Sequence, residues 1–123
     1  MKVLFTGYHN PNYPTVTEYI EQALKELGHE IVVLDEGRHL LPGRLRVRSR
    51  LLEAMDLRWF NNKVLLAGRR SRPDLFLAAG GERILPATVV ALKAKKMRTA
   101  LWTVDVPLHF APILCGVSAY DHV

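Results

Sequence analysis

Lys2 to Thr6 open the chain as a short, β-rich apolar run that Gly7 closes, the pattern of a buried first strand. Tyr8 to Pro14 hold two prolines and two asparagines and read as a loop. Thr15 is a natural N-cap, and Glu18 three residues later completes a capping-box pattern. Val16, Tyr19, Ile20, Ala23, Leu24 and Leu27 then recur at helical spacing until Gly28 supplies a C′ residue. Ile31 to Leu34 make a second strand with Asp35 at its end. A β-α-β unit of this kind implies parallel strands joined by a right-handed crossover.

The pattern continues in the same alternation. Gly37 to Gly43 form a loop, and residues 44–70 are helical in pattern, with Leu45, Leu51, Leu52, Met55, Trp59, Leu65 and Leu66 apolar. The Asn61-Asn62 pair is a point where this stretch bends or divides into two helices. Residues 73–79 make a third strand closed by Gly80-Gly81, and Pro86 suits the first turn of a helix running to about Met97. Residues 98–103 form a fourth strand, His109 to Gly116 one short helix, and Tyr120 to Val123 the approach to a fifth strand. The expected fold class is α/β: a Rossmann-like, doubly wound parallel sheet of four to five strands flanked by helices. At 123 residues the chain reads as one domain, and its close at the start of a strand suggests the N-terminal part of a longer protein.

Charge changes this picture in one place. The net charge is +5, and Arg38, Arg44, Arg46, Arg48, Arg50, Arg58, Lys63, Arg69, Arg70 and Arg72 all fall in one segment. Only Glu53 and Asp56 oppose them there, and elsewhere the charges roughly cancel. Arg44, Arg46, Arg48, Arg50, Arg69 and Arg70 are therefore a candidate patch for an anion or a partner domain, the bland alternative being a solvated basic helix face. No nucleic-acid motif accompanies them, so no specific nucleic-acid partner is expected. No apolar run reaches the roughly 18 residues of a transmembrane segment, and the N-terminal run is too short for a signal peptide. The single cysteine, Cys115, excludes an internal disulfide, and a cytoplasmic setting is the default expectation.

Candidate chemistry clusters at the expected strand ends. The loop after the first strand has Gly7 as its only glycine, so the dinucleotide fingerprint is missing although Asp35 stands where a ribose-binding acid would. The Walker pattern is absent, and Ala78-Ala79-Gly80-Gly81 occupies the place of a receiver-domain phosphoacceptor. His9 reads either as a solvated loop residue or as a general base, and Tyr8 and Gly7 share its loop. Gly80, Gly81 and Glu82 form either a plain tight turn or a place where a ligand approaches the backbone. Trp102 and Asp105 lie at the end of the fourth strand and His109 follows them; Asp105 suits a base, a hydroxyl acceptor or an N-cap. The histidines show no metal-ligand spacing.

A family resemblance runs through the same residues. Met1 to Gly7 and then Ala23 to Ile31 resemble the opening of many GT-B glycosyltransferases. With Arg72 to Leu75, Leu85 to Thr88, Leu92-Lys93, Arg98 to Pro107 and Tyr120 to Val123, the series resembles the N-terminal domain of the CgeB-type spore maturation and glycosyltransferase-like proteins. That family often has two acids before the proline, and this chain keeps one, Asp105. The resemblance implies a bacterial two-domain enzyme with its site between two Rossmann-like domains, of which this chain is the acceptor half. It implies a nucleotide sugar held by the protein's own C-terminal domain, a carbohydrate or other hydroxyl acceptor, no metal ion, no cofactor bound by this domain, and no activity of this half alone. His9 and Asp105 are then the candidate catalytic residues, with Gly7, Tyr8, Gly80, Gly81, Glu82, Trp102 and His109 as candidate substrate contacts. An open sheet edge or bare apolar face would favour a homodimer.

Overall fold

The computed structural model describes residues 1–103 and 111–123. Strands β1 (Lys2–Gly7), β2 (Glu30–Asp35), β3 (Leu75–Ala79) and β4 (Arg98–Trp102) form one all-parallel sheet in the order β2-β1-β3-β4. Helices α1 (Val16–Glu26), α2 (Gly43–Arg46), α3 (Arg50–Ser71), α4 (Pro86–Lys93) and α5 (Ala111–Val117) alternate with them. After α5 the backbone returns beside β4, where Ala100 bridges His122 in the parallel sense and Leu101 N–H donates to the His122 carbonyl at 2.9 Å. The expected Rossmann-like α/β architecture is present.

The strands read as continuous apolar runs because both faces are covered. On one face Leu4, Phe76, Ala78 and Leu101 pack with Phe60 and Val64 of α3 and Val89 and Leu92 of α4. On the other face, Val3, Phe5 and Ala79 form a smaller cluster with the half-buried Ile31, Val33, Leu75 and Leu77 and with Ile20 and Leu24 of α1. β1 sits at the centre, with Val3, Leu4, Phe5 and Thr6 fully buried. The chain leaves β1 towards β2 and then crosses back to β3 on its other side. The connections therefore diverge between β1 and β3, and such a divergence opens a crevice at the carboxyl ends of the strands.

The helices differ from the sequence pattern in two informative ways. The basic stretch does break, but at Val47–Ser49, where Ser49 accepts the Leu51 N–H as an N-cap, and α3 runs unbroken through Asn61. Asn61 is buried and uses its side chain to hold a loop, as described below. α4 stops at Lys93 and not near Met97; Lys96 adopts a left-handed conformation (φ 62°) and Met97 turns into the core. At the end of α1, Gly28 has φ 84°, the αL conformation for which glycine is favoured. No described helix is long and apolar enough to cross a membrane.

Candidate functional site at the sheet switch point

The crevice between the β1 and β3 loops holds a cavity of about 210 Å³, lined by Tyr8, Thr15, Thr17, Gly80, Trp102 and Thr103 among others. Tyr8 and Trp102 are 51% and 39% exposed, a high value for aromatic side chains at a strand edge. The rest of the described lining is threonine hydroxyl, small apolar side chain and glycine backbone, without a charged group. The structure thus brings Tyr8, Gly80 and Trp102 together from the carboxyl ends of three strands.

The glycines of this edge have distinct tasks. A Cβ on Gly7 would lie 2.5 Å from Thr17 Cγ2, so Gly7 lets α1 approach the end of β1. Gly81 has φ 74°, and a Cβ there would lie 2.6 Å from Leu101 Cδ1, so it serves the turn and the packing beneath it. Gly80 has φ 91° and open space where a Cβ would stand, and it lines the cavity. Of the Gly80-Gly81-Glu82 series, Gly80 is therefore the backbone a ligand can reach. Glu82 is exposed and is not part of the described lining.

The N-terminus of α1 points its cap into the same crevice, but that cap is already filled. Thr15 Oγ1 accepts the Thr17 N–H at 3.3 Å, and Glu18 Oε2 accepts the Thr15 N–H at 2.6 Å. The Thr15 hydroxyl also lies within hydrogen-bond reach of Glu18, which holds that carboxyl below its usual range. A carboxylate stands where a pyrophosphate would bind a helix N-terminus. Asp35, the other feature of a dinucleotide site, has Oδ1 occupied by the His9 and Gly37 amides at 3.2 and 2.7 Å. Local chemistry here suits a neutral hydroxylated ligand better than a phosphate.

His9 follows Tyr8 in the chain yet lines a different hollow, with Asp35, Arg38, Phe60 and Lys63. Its Nε2 lies 3.1 Å from Glu21 Oε2 and its Nδ1 3.2 Å from the Gly7 carbonyl. Both partners accept hydrogen bonds, so the ring meets both only as an imidazolium donor. Burial opposes that charge, but Glu21, Asp35 and Glu18 outweigh it and raise the His9 pKa. Glu21 is lowered in turn: burial raises it, and the bonds from Lys25 and His9 overcome that effect. In this arrangement His9 is a held cation, and a role as base would require it first to give up one of these hydrogen bonds.

A buried brace fixes the loop that carries Gly80. Arg83 donates to the Arg38 carbonyl at 2.8 Å, to the Glu36 carbonyl, and to Asp56 Oδ2 at 2.9 Å. Asp56 also accepts from His39 Nδ1 and from the Leu40 and Leu41 amides. Burial works to raise the Asp56 carboxyl, and these donors hold it below its ordinary value. Asn61 accepts from Leu85 N and Thr88 Oγ1 and donates to the Arg83 carbonyl at 2.8 Å. Beneath the loop Thr6 Oγ1, Glu36 Oε1 and Tyr120 Oη are buried without hydrogen-bond partners among the described residues. Burial pushes the Glu36 carboxyl up to about 7, against the nearby Thr6 hydroxyl and the Arg83 cation.

Asp105 and His109 lie outside the described residues. Arg44, Arg48, Arg50, Arg69 and Arg70 are exposed on α2, α3 and the turn between them, while Arg46 is partly covered and donates to the Leu41 carbonyl. Among the described residues no cluster of His, Cys, Asp or Glu could hold a metal ion. Sequence reasoning missed Glu21, Glu36, Asp56, Asn61 and Arg83. An acid one helical turn from Lys25 gives no sign of a histidine partner, and the Asp56–Arg83 pair spans 27 positions. No protein-family model and no curated protein matches the sequence.

Proposed function

We propose that this chain is the acceptor-side domain of a GT-B-like glycosyltransferase, with the acceptor seated at the β1–β3 crevice. The observation that carries the reading is the crevice itself: two exposed aromatic rings, three threonines and an open glycine backbone, without a cation among its described lining. Sugar rings present apolar faces to aromatic side chains and hydroxyls to polar ones, which suits Tyr8 and Trp102 beside Thr15, Thr17 and Thr103. The resemblance to the CgeB-type proteins supports the same assignment. In this reading a second Rossmann-like domain holds the nucleotide sugar. An acceptor hydroxyl attacks the anomeric carbon and the nucleoside diphosphate leaves. Asp105 is the base to test, and His9, whose charged form Glu21 and Asp35 favour, stands beside the crevice loop.

Trp102 provides the assay. In a Trp59→Phe background, titration with neutral oligosaccharides changes the indole emission of Trp102 in a saturable way, whereas nucleotide sugars leave it unchanged. Saturable quenching by nucleotide sugars alone would overturn the assignment of sides. A second reading, a non-catalytic module that meets an anionic partner through its basic helix, is favoured by the arginines of α2 and α3, which make no ion pairs among the described residues.

A further inference from the structure

Residues 38–72 carry ten basic side chains against Glu53 and Asp56, so this segment holds +8 and the remainder −3 of a chain that totals +5. Asp56 is buried and bonded to His39 and Arg83, which leaves Glu53 as the segment's exposed carboxylate. Arg44, Arg48, Arg50, Arg58, Arg69 and Arg70 are all exposed. The same stretch exposes aliphatic side chains: Val47 is 86% and Leu51 70% exposed, and Leu45, Met55 and Leu66 are exposed as well. On α3, Leu51, Met55, Arg58, Asn62, Leu66 and Arg69 recur at helical spacing on the solvent side. The outer face of a helix is ordinarily polar, and here it alternates arginine with leucine and methionine over roughly 27 Å.

We propose that α2, the Val47–Ser49 turn and the outer face of α3 form a docking surface for an anionic lipid bilayer. The arginines meet headgroup phosphates, and Val47, Leu51 and Met55 enter the boundary between headgroups and acyl chains. Three features favour a bilayer over other anionic partners. Nucleic acid rewards cations and stacking aromatics, and it gives exposed aliphatic side chains nothing to enter. Protein interfaces gather apolar side chains into a core within a polar rim, whereas here arginine and aliphatic side chains interleave along one face. A lipid surface takes both classes of side chain at once, at the depth at which a helix lies in the interface plane. The inference rests on this face alone and stands whether or not the crevice serves glycosyl transfer.

Co-sedimentation of the whole chain with vesicles tests it, using phosphatidylcholine alone and phosphatidylcholine containing about one-third phosphatidylglycerol. Binding is expected only to the anionic vesicles. Arg48→Glu with Arg50→Glu should weaken it at least about 25-fold, as loss of roughly fivefold per cation implies. Val47→Ser with Leu51→Ser should weaken it several-fold at unchanged charge, and Lys2→Glu with Lys25→Glu, at the start of β1 and on α1 across the sheet, should leave it near wild type. Melting temperature checks that each variant is folded. The proposal is overturned by equal binding to neutral vesicles, by no binding to either, or by equal losses in the two charge-reversal pairs. It is also overturned if the serine pair has no effect, or if the chain binds single-stranded RNA in preference to the anionic vesicles.

Discussion

Glu36 holds a carboxyl that is only 6% exposed, with one oxygen lacking a partner among the described residues, so burial disfavours its charge. Its pKa rises from the usual 4.5 to about 7. The unfolded chain therefore releases this proton at lower pH than the folded one. The group's contribution is fully present below about 4.5 and declines as the pH rises to 7, by on the order of 3 kcal/mol. Glu36→Gln keeps the shape and removes the charge. It is expected to melt higher than wild type above neutral pH and much the same in mild acid, with a flatter stability profile. His9 has a dependence of the same sign. Its raised pKa means that the Glu21 pair stabilises the fold in full below about 6.5 and fades as the pH climbs through the folded value. Replacing His9 with Gln should cost about 0.5–1 kcal/mol near pH 6 and less near pH 9 in urea titrations.

At the level of elements, the crevice owes its shape to a loop pinned from outside. Asn61 of α3 makes four hydrogen bonds, to Leu57, Arg83, Leu85 and Thr88, and so ties the β3–α4 loop to a helix. Asn61→Ala is expected to destabilise the fold by about 2–4 kcal/mol, because it leaves buried partners unpaired. A fall in the urea midpoint without a change in slope would show this, and faster amide exchange from Gly80 to Leu85 would locate it. The same residue shows what the sequence withheld. Strands bounded by glycine, the Thr15–Glu18 capping box and the Gly28 terminus were legible because each depends on neighbours a few positions away. An asparagine in mid-helix carries no mark that distinguishes a break from a buried anchor, since the distinction lies in Arg83 and Leu85 more than twenty positions on. The true break at Ser49 was hidden in an arginine-rich stretch whose periodicity is weak. Of the site, Tyr8, Gly80 and Trp102 were readable as strand-end residues, whereas the pairs His9–Glu21 and Asp56–Arg83 exist only through the fold.

For the whole molecule, a parallel sheet with a switch point separates two kinds of surface. The carboxyl edge between β1 and β3 offers a small neutral crevice, and the outer side of α2 and α3 offers a dense cationic one. The smaller core cluster, in which Leu75 and Leu77 remain half-buried, draws its described helical cover from α1 alone. This is the face on which a further domain or a second copy would find apolar surface. The central claim, that a hydroxylated acceptor binds at the switch point, is tested most directly by residue-level nuclear magnetic resonance mapping with a panel of neutral oligosaccharides and nucleotide sugars. Saturable shifts from an oligosaccharide are expected at the amides of Tyr8, Thr15, Gly80 and Thr103 and at the Trp102 indole, with nucleotide sugars silent there. Saturable shifts at those residues from nucleotide sugars, or oligosaccharide shifts confined to other parts of the chain, would contradict it.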